Sequence, residues 1–202
     1  LKNLRLDLCR GPSRSIPGNK QMNNRAFLVV DLQNEYLPTG QLPLVGLQEV
    51  VANAARIIAA ARERGDLIVH IRHEKPTANA RAFIPGSVGA QIIQEVAPIE
   101  GEQIVVKNYP NSFRDTNLQD LLVEKSIREV VVLGAMSHMC VEATARAAAD
   151  HGYLTVVVHD ACATMDLEFD GTKVPAHQVH ATAMAALAFA YASITPTAAY
   201  LA

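Results

Sequence analysis

Short apolar, β-branched runs alternate with longer amphipathic or alanine-rich stretches from Ala26 onward. The runs at 27–31, 67–71, 104–107, 130–133 and 154–158 are too short for buried helices and rich in Val and Ile, which predicts strands. Between them, 49–64 carries a helical apolar period stopped by Gly65, and 117–125 reads the same way. A stretch of good helix formers also runs from about Cys140 to a stop at Gly152. Weaker patterns predict a short helix over 89–96, a long helix over 175–191 and a last short strand within 194–201. This alternation predicts an α/β fold, a single-domain three-layer α/β/α sandwich whose mostly parallel sheet is covered on both faces. No internal repeat or second domain interrupts it over 22–202. Residues 1–21 are polar, broken by Pro and Gly and without a period, so they read as a loose extension or leader, with Met22 a candidate start.

Composition narrows the functional classes. The chain has 202 residues, 50% of them hydrophobic, ample for one domain's core. Eighteen Lys and Arg against 20 Asp and Glu leave a net charge of −2, with no basic run to grip phosphates, so nucleic acid is not an expected partner. No stretch approaches the ~20 uncharged residues of a membrane span, and the N-terminus lacks a signal-like apolar segment. Cys9, Cys140 and Cys162 form no closely spaced pair, which argues for free thiols in a reducing, cytoplasmic setting and against a zinc or dithiol site. No strand is followed by a Gly-rich phosphate loop, which disfavours a nucleotide-binding module.

Candidate chemistry gathers at the strand ends. In an open parallel sheet, reacting groups collect beyond the carboxyl ends of the strands, where loops and helix N-termini meet. Asp31 ends the first run, Lys107 ends the third, and Cys140 follows the fourth across a turn begun by Gly134. A carboxylate and an ammonium directly after apolar runs must be paired or exposed. Taken singly, Asp31 could cap a turn, Lys107 could be a solvated strand end and Cys140 a small buried hydrophobe. A thiol near a helix N-terminus is expected to lean towards thiolate.

The segments Phe27-Leu-Val-Val-Asp31-Leu-Gln-Asn34, Val105-Val-Lys107-Asn-Tyr-Pro-Asn-Ser-Phe113, Val131-Val-Leu-Gly134-Ala-Met-Ser-His-Met-Cys140-Val-Glu-Ala-Thr144 and His159-Asp-Ala-Cys-Ala-Thr164 follow in order along the chain. Together they resemble the isochorismatase-like cysteine hydrolases, relatives of nicotinamidases and N-carbamoylsarcosine amidases. The resemblance spans residues of about 25 to 200 and implies an isochorismatase-like fold with an Asp31, Lys107, Cys140 triad that cleaves a small amide through a thioester. It also implies a cis peptide between Ala135 and Met136, and an oxyanion hole from the backbone N–H groups of Met136 and Cys140. The metal-binding Asp-x-His that nicotinamidases carry after the first helix region is missing here, and residues 35–46 hold no histidine, so neither metal nor other cofactor is expected. Some relatives cleave a vinyl ether by acid catalysis without the cysteine; Cys140 favours the amide-cleaving branch. A non-catalytic or redox-sensing member is a further alternative.

Other groups are weighed on the same terms. His70, His73 and Glu74 could suggest a metal, but no partner set with ligand spacing accompanies them. Ser137 and His138 read as capping and turn solvation, His177 and His180 as core or interface contacts, and Cys162 as packing. Tyr36, Phe83, Tyr109 and Phe113 fall in loops after the site strands and are candidate walls of a substrate pocket. Residues 167–171 are a candidate lid or intersubunit contact. The Ala-rich helix over 181–192 is more apolar than one core face needs, which predicts a homo-oligomer, at least a dimer.

Overall fold

The computed structural model describes residues 23–202; the leader expected over 1–21, with Cys9, lies outside the described residues. Six strands make one parallel sheet: β1 (Arg25–Val30), β2 (Leu67–His73), β3 (Gln103–Lys107), β4 (Glu129–Ala135), β5 (Leu154–Ala163) and β8 (Ser193–Thr195). Their order is β3-β2-β1-β4-β5-β8. The chain winds outward from β1 to one edge, then returns to β4 and winds to the other. The seam between β1 and β4 is therefore the switch point of the sheet, where loops diverge and leave a crevice.

Both faces are covered, as the unbroken apolar strands require. On one face Phe27, Val29, Val131 and Leu133 pack under α1 (Leu47–Arg64), joined by Tyr200 of the short α5 (Thr197–Leu201). On the other, Leu28, Val30, Val130 and Val132 pack under α2 (Leu118–Glu124), α3 (Glu142–Asp150) and α4 (Ala176–Ala190). Helix α1 ends where expected, because Gly65 adopts a left-handed φ of 70° and returns its N–H to the last turn. Phe189, near the end of α4, stays 92% exposed.

Three parts of the fold differ from the sequence expectation. The helix expected over 89–96 shrinks to one 3-10 turn, Gln94–Val96. The residues before it turn and bend against the β1 exit loop: Asn34 and Glu35 donate their N–H groups to the Gln91 and Gly89 carbonyls, and Gln33 and Ile92 form an isolated antiparallel bridge. The strand expected over 194–201 stops at Thr195; Pro196 ends it, and Asp160 Oδ1 accepts both the N–H and the hydroxyl of Thr197, each at 2.7 Å, to start α5. An antiparallel hairpin, β6 (Leu167–Phe169) and β7 (Thr172–Val174), occupies the segment read as a lid or contact. Asp170 and Gly171 turn it with φ of 48° and 74°, the pairing an Asp-Gly dipeptide favours.

At the seam, Gly134 pairs with Val30 across the ladder. A Cβ on Gly134 would fall 1.9 Å from the Val30 carbonyl oxygen, and its φ of 127° suits only glycine. The two strands that lead to Asp31 and Cys140 thus meet there with no side chain between them.

Candidate active site

Asp31 is the first residue beyond β1. Its N–H continues the ladder to the Ile71 carbonyl, while a φ of 50° turns the chain out of the sheet. Asp and Asn enter this region more readily than bulkier residues. The side chain is fully buried, and its Oδ2 accepts a 2.7 Å hydrogen bond from Nζ of Lys107, the last residue of β3. Its other oxygen, Oδ1, has no hydrogen-bond partner among the described residues. Burial pushes the Asp31 carboxyl up, and the Lys107 ammonium only partly offsets this.

Cys140 approaches from the other side of the seam. After β4 the Ala135–Met136 peptide is cis, and Ser137–Val141 coils as one wide π turn leading into α3. The Met136 carbonyl gathers this turn by accepting the N–H groups of Met139 and Val141. Cys140 lies 7% exposed, close enough to Asp31 and Lys107 for both to act on its proton. Burial and then the Asp31 carboxylate push the thiol up to about 12, with Lys107 opposing. Desolvation and the neighbouring carboxylate thus oppose the expected lean towards thiolate and favour the protonated thiol.

The turn is tied down through its other side chains. Ser137 Oγ donates to the Ala163 carbonyl at 3.2 Å and meets His180 Nδ1 at 2.8 Å, while His138 Nδ1 and Thr164 Oγ1 lie 2.6 Å apart. Neither Ser137 nor His138 caps the helix, as the sequence suggested; both stitch the turn to the end of β5. Cys162 packs there too, its thiol donating to the Val158 carbonyl.

The isochorismatase domain family matches residues 25–198. The chain belongs to the isochorismatase family. Among its relatives, YddQ of Bacillus subtilis, an uncharacterised isochorismatase family protein, is 42% identical over 87% of this chain and 98% of its own. A maleamate amidohydrolase of Pseudomonas putida is 31% identical over 67% of this chain and 70% of its own. An isochorismatase-type hydrolase structure from Oleispira antarctica superposes with a TM-score of 0.85 at 47% identity, covering 91% of this chain and 98% of that one.

The pocket residues expected for this isochorismatase-family chain divide. Tyr36 and Phe83 are buried and meet edge to face, 5.3 Å between centroids, and Phe83 meets the His73 ring in the same way at 5.2 Å. Tyr109 is half-buried under the Arg114 guanidinium, 3.6 Å away. Phe113 lies elsewhere: it stacks on Tyr153 and meets the His151 ring at a tilt, beyond the C-terminal end of α3, a helix length from Cys140. It follows β3, but the loop carries it down the flank of the sheet into the second core.

The possible metal cluster does not assemble. His70 and His73 are three residues apart on a strand and so face opposite sides. His70 Nε2 lies 2.9 Å from Glu102, which Arg62 also binds, under α1; Glu74 pairs with Arg72. Among the described residues no group of three or more His, Cys, Asp or Glu is arranged to hold a metal. Likewise no described helix is long and apolar enough to cross a membrane.

Two buried polar residues escaped the sequence reading. The Gln33 amide binds the His73 backbone at both ends, accepting its N–H at 2.8 Å and donating to its carbonyl at 2.9 Å, and reaches the Ala90 carbonyl as well. Glu35 Oε1 accepts the Phe83 N–H at 3.2 Å. Both lie in or beside the Asp31-Leu-Gln-Asn34 segment, whose polar composition gives no sign in the sequence that these two side chains are buried.

Proposed function

We propose that this isochorismatase-family hydrolase cleaves a carbon–nitrogen amide bond of a small molecule through a thioester on Cys140. The observation that carries this reading is the convergence of three strand exits at the switch point, with Asp31 and Lys107 paired at 2.7 Å beside the Cys140 thiol. The amidohydrolase named among the relatives supports it.

Burial and the Asp31 carboxylate favour the protonated thiol, which couples attack to proton transfer. As Sγ bonds to the amide carbonyl carbon, the thiol proton passes to Asp31, whose carboxyl is pushed up towards accepting it. Lys107 holds the carboxylate in place and balances the charge that develops. The backbone N–H groups of Met136 and Cys140 are the donors assigned to the oxyanion. When the tetrahedral intermediate collapses, the C–N bond breaks and Asp31 returns the proton to the departing nitrogen. Water, deprotonated by Asp31, then adds to the thioester, releasing the acid and the free thiol. No step calls for a metal or other cofactor.

A second reading draws on the raised Asp31 carboxyl: as a protonated acid it could instead cleave a vinyl ether, with Cys140 a bystander. Intact-protein mass after acid quench, with a panel of small amides, separates the two. An acyl adduct present in wild type and absent in Cys140→Ala establishes the thioester and weighs the acyl half. Turnover that survives Cys140→Ala and is lost in Asp31→Asn establishes acid catalysis.

A further inference from the structure

We propose that His73 is a positioning residue for the proposed reaction: its Nδ1 lone pair holds the Lys107 ammonium on the Asp31 carboxylate. This rests on the reading of Asp31, Lys107 and Cys140 as the reacting trio.

Lys107 Nζ lies 3.2 Å from His73 Nδ1 and 2.7 Å from Asp31 Oδ2, and all three side chains are buried. An ammonium has only protons to give, so Nδ1 must accept, and the imidazole proton must sit on Nε2. A cationic imidazole could not accept at all. Burial first, then the Lys107 and Lys75 charges, hold His73 down to about 3, so the acceptor persists at any ordinary working pH. Lysine ends in a flexible four-carbon stem with three donors, and a single carboxylate oxygen would leave it free to swing. The second acceptor on β2 fixes its direction.

The acceptor is itself held on three sides. Gln33 clamps the His73 backbone N–H and carbonyl together, and Phe83 closes on the ring edge to face. Gln33 follows Asp31 by two residues, so the loop that carries the proposed base also braces the residue that aims its counter-ion. The chain from Gln33 through His73 and Lys107 to Asp31 couples the loop after β1 to the ends of β2 and β3. None of these contacts is needed to close the sheet, whose ladder runs independently of them.

The test needs no substrate. Lys107 lowers the Cys140 thiol, so the rate of iodoacetamide addition at Cys140, read by peptide mapping between pH 8 and 10, reports how well the ammonium is aimed. Lys107→Met is expected to slow this reaction about tenfold, one unit of thiol shift, and His73→Leu to follow it in direction. His73→Asn places an amide oxygen near the position of Nδ1 and is expected to restore the rate to within about twofold of wild type. Thermal melting confirms that each variant is folded. Nitrogen-15 spectra of the wild-type imidazole should show Nδ1 bare and Nε2 protonated, unchanged from pH 8 to 5.

If Lys107→Met slows alkylation and His73→Leu does not, the positioning role is wrong and the trio stands. If Lys107→Met itself has no effect, the trio reading falls and this inference with it. A proton on Nδ1, or equal loss in His73→Leu and His73→Asn, also overturns it.

Discussion

Lys107 and Asp31 are joined by a buried 2.7 Å ion pair across 76 residues of sequence, spanning the ends of two strands that do not pair with each other. Strand β2 lies between them, and it is from β2 that His73 reaches the same ammonium. The pair thus ties three adjacent strand exits at the edge where chemistry is expected. Its worth to stability is asymmetric: forming it roughly offsets the desolvation of two charges, while removing one partner strands the other.

Asp31→Ala should therefore destabilise the fold by about 3–5 kcal/mol, because the Lys107 ammonium would remain buried against a single neutral acceptor. Urea denaturation measures this. A change below about 1 kcal/mol would mean that water reaches Lys107 and that the pair is far less desolvated than its burial indicates.

Cys140 should behave as a hidden thiol rather than a poised thiolate. With its titration pushed up to about 12, the rate of iodoacetamide addition should climb about tenfold for each unit between pH 7 and 10, without levelling. A plateau at or below pH 8 would contradict the burial and charge around it. Asp31→Asn removes the neighbouring anion and should speed alkylation at pH 8 while abolishing turnover of any amide. Loss of both together would instead point to a collapsed site.

Acid should weaken the fold through His73. The unfolded residue takes a proton near 6.5, the folded one only near 3. Between those values the unfolded chain binds the extra proton, so stability falls as the pH falls, by up to roughly 1.4 kcal/mol per unit. His73→Asn removes this contribution. Its urea midpoint should decline less steeply than that of wild type from pH 6 to 4, and parallel curves would show that His73 is already solvated.

Gly89→Ala should loosen the wall beside the trio. A Cβ there would meet Glu35 Oε2 at 1.8 Å and drive that carboxylate from the Phe83 N–H it accepts. Limited proteolysis within residues 74–92 should accelerate several-fold, whereas the melting temperature should move by only a few degrees, since of this loop only Ala82, Phe83 and Ile92 join a core. Unchanged proteolysis would mean that Glu35 turns aside at no cost.

The sheet was legible because each buried strand is a short β-branched run bounded by a breaker, and because alternation with helices admits few architectures. Asp31, Lys107 and Cys140 were legible as polar residues set directly after such runs. What failed depended on partners distant in sequence. Residues 89–93 have helix-compatible composition, yet they pair with the β1 exit loop some 57 residues away. Phe113 was assigned by its strand and lost to the packing of α3, and the thiolate expectation considered one helix end without the desolvation and the anion that oppose it. The hairpin at 167–174 was readable all along from Asp170-Gly171 between two short runs.

The contact at Gly134 also bears on how this chain can change. Because a methyl group there would collide with the Val30 carbonyl, the gap between the strands that carry Asp31 and Cys140 is set by the absence of a side chain. Substitution can vary the loops after β1, β2 and β3, and with them the shape that a substrate meets. It cannot widen or narrow that seam by degrees. New specificities are accessible to this protein by small steps, whereas a new spacing of the proposed reacting groups would require rebuilding the centre of the sheet.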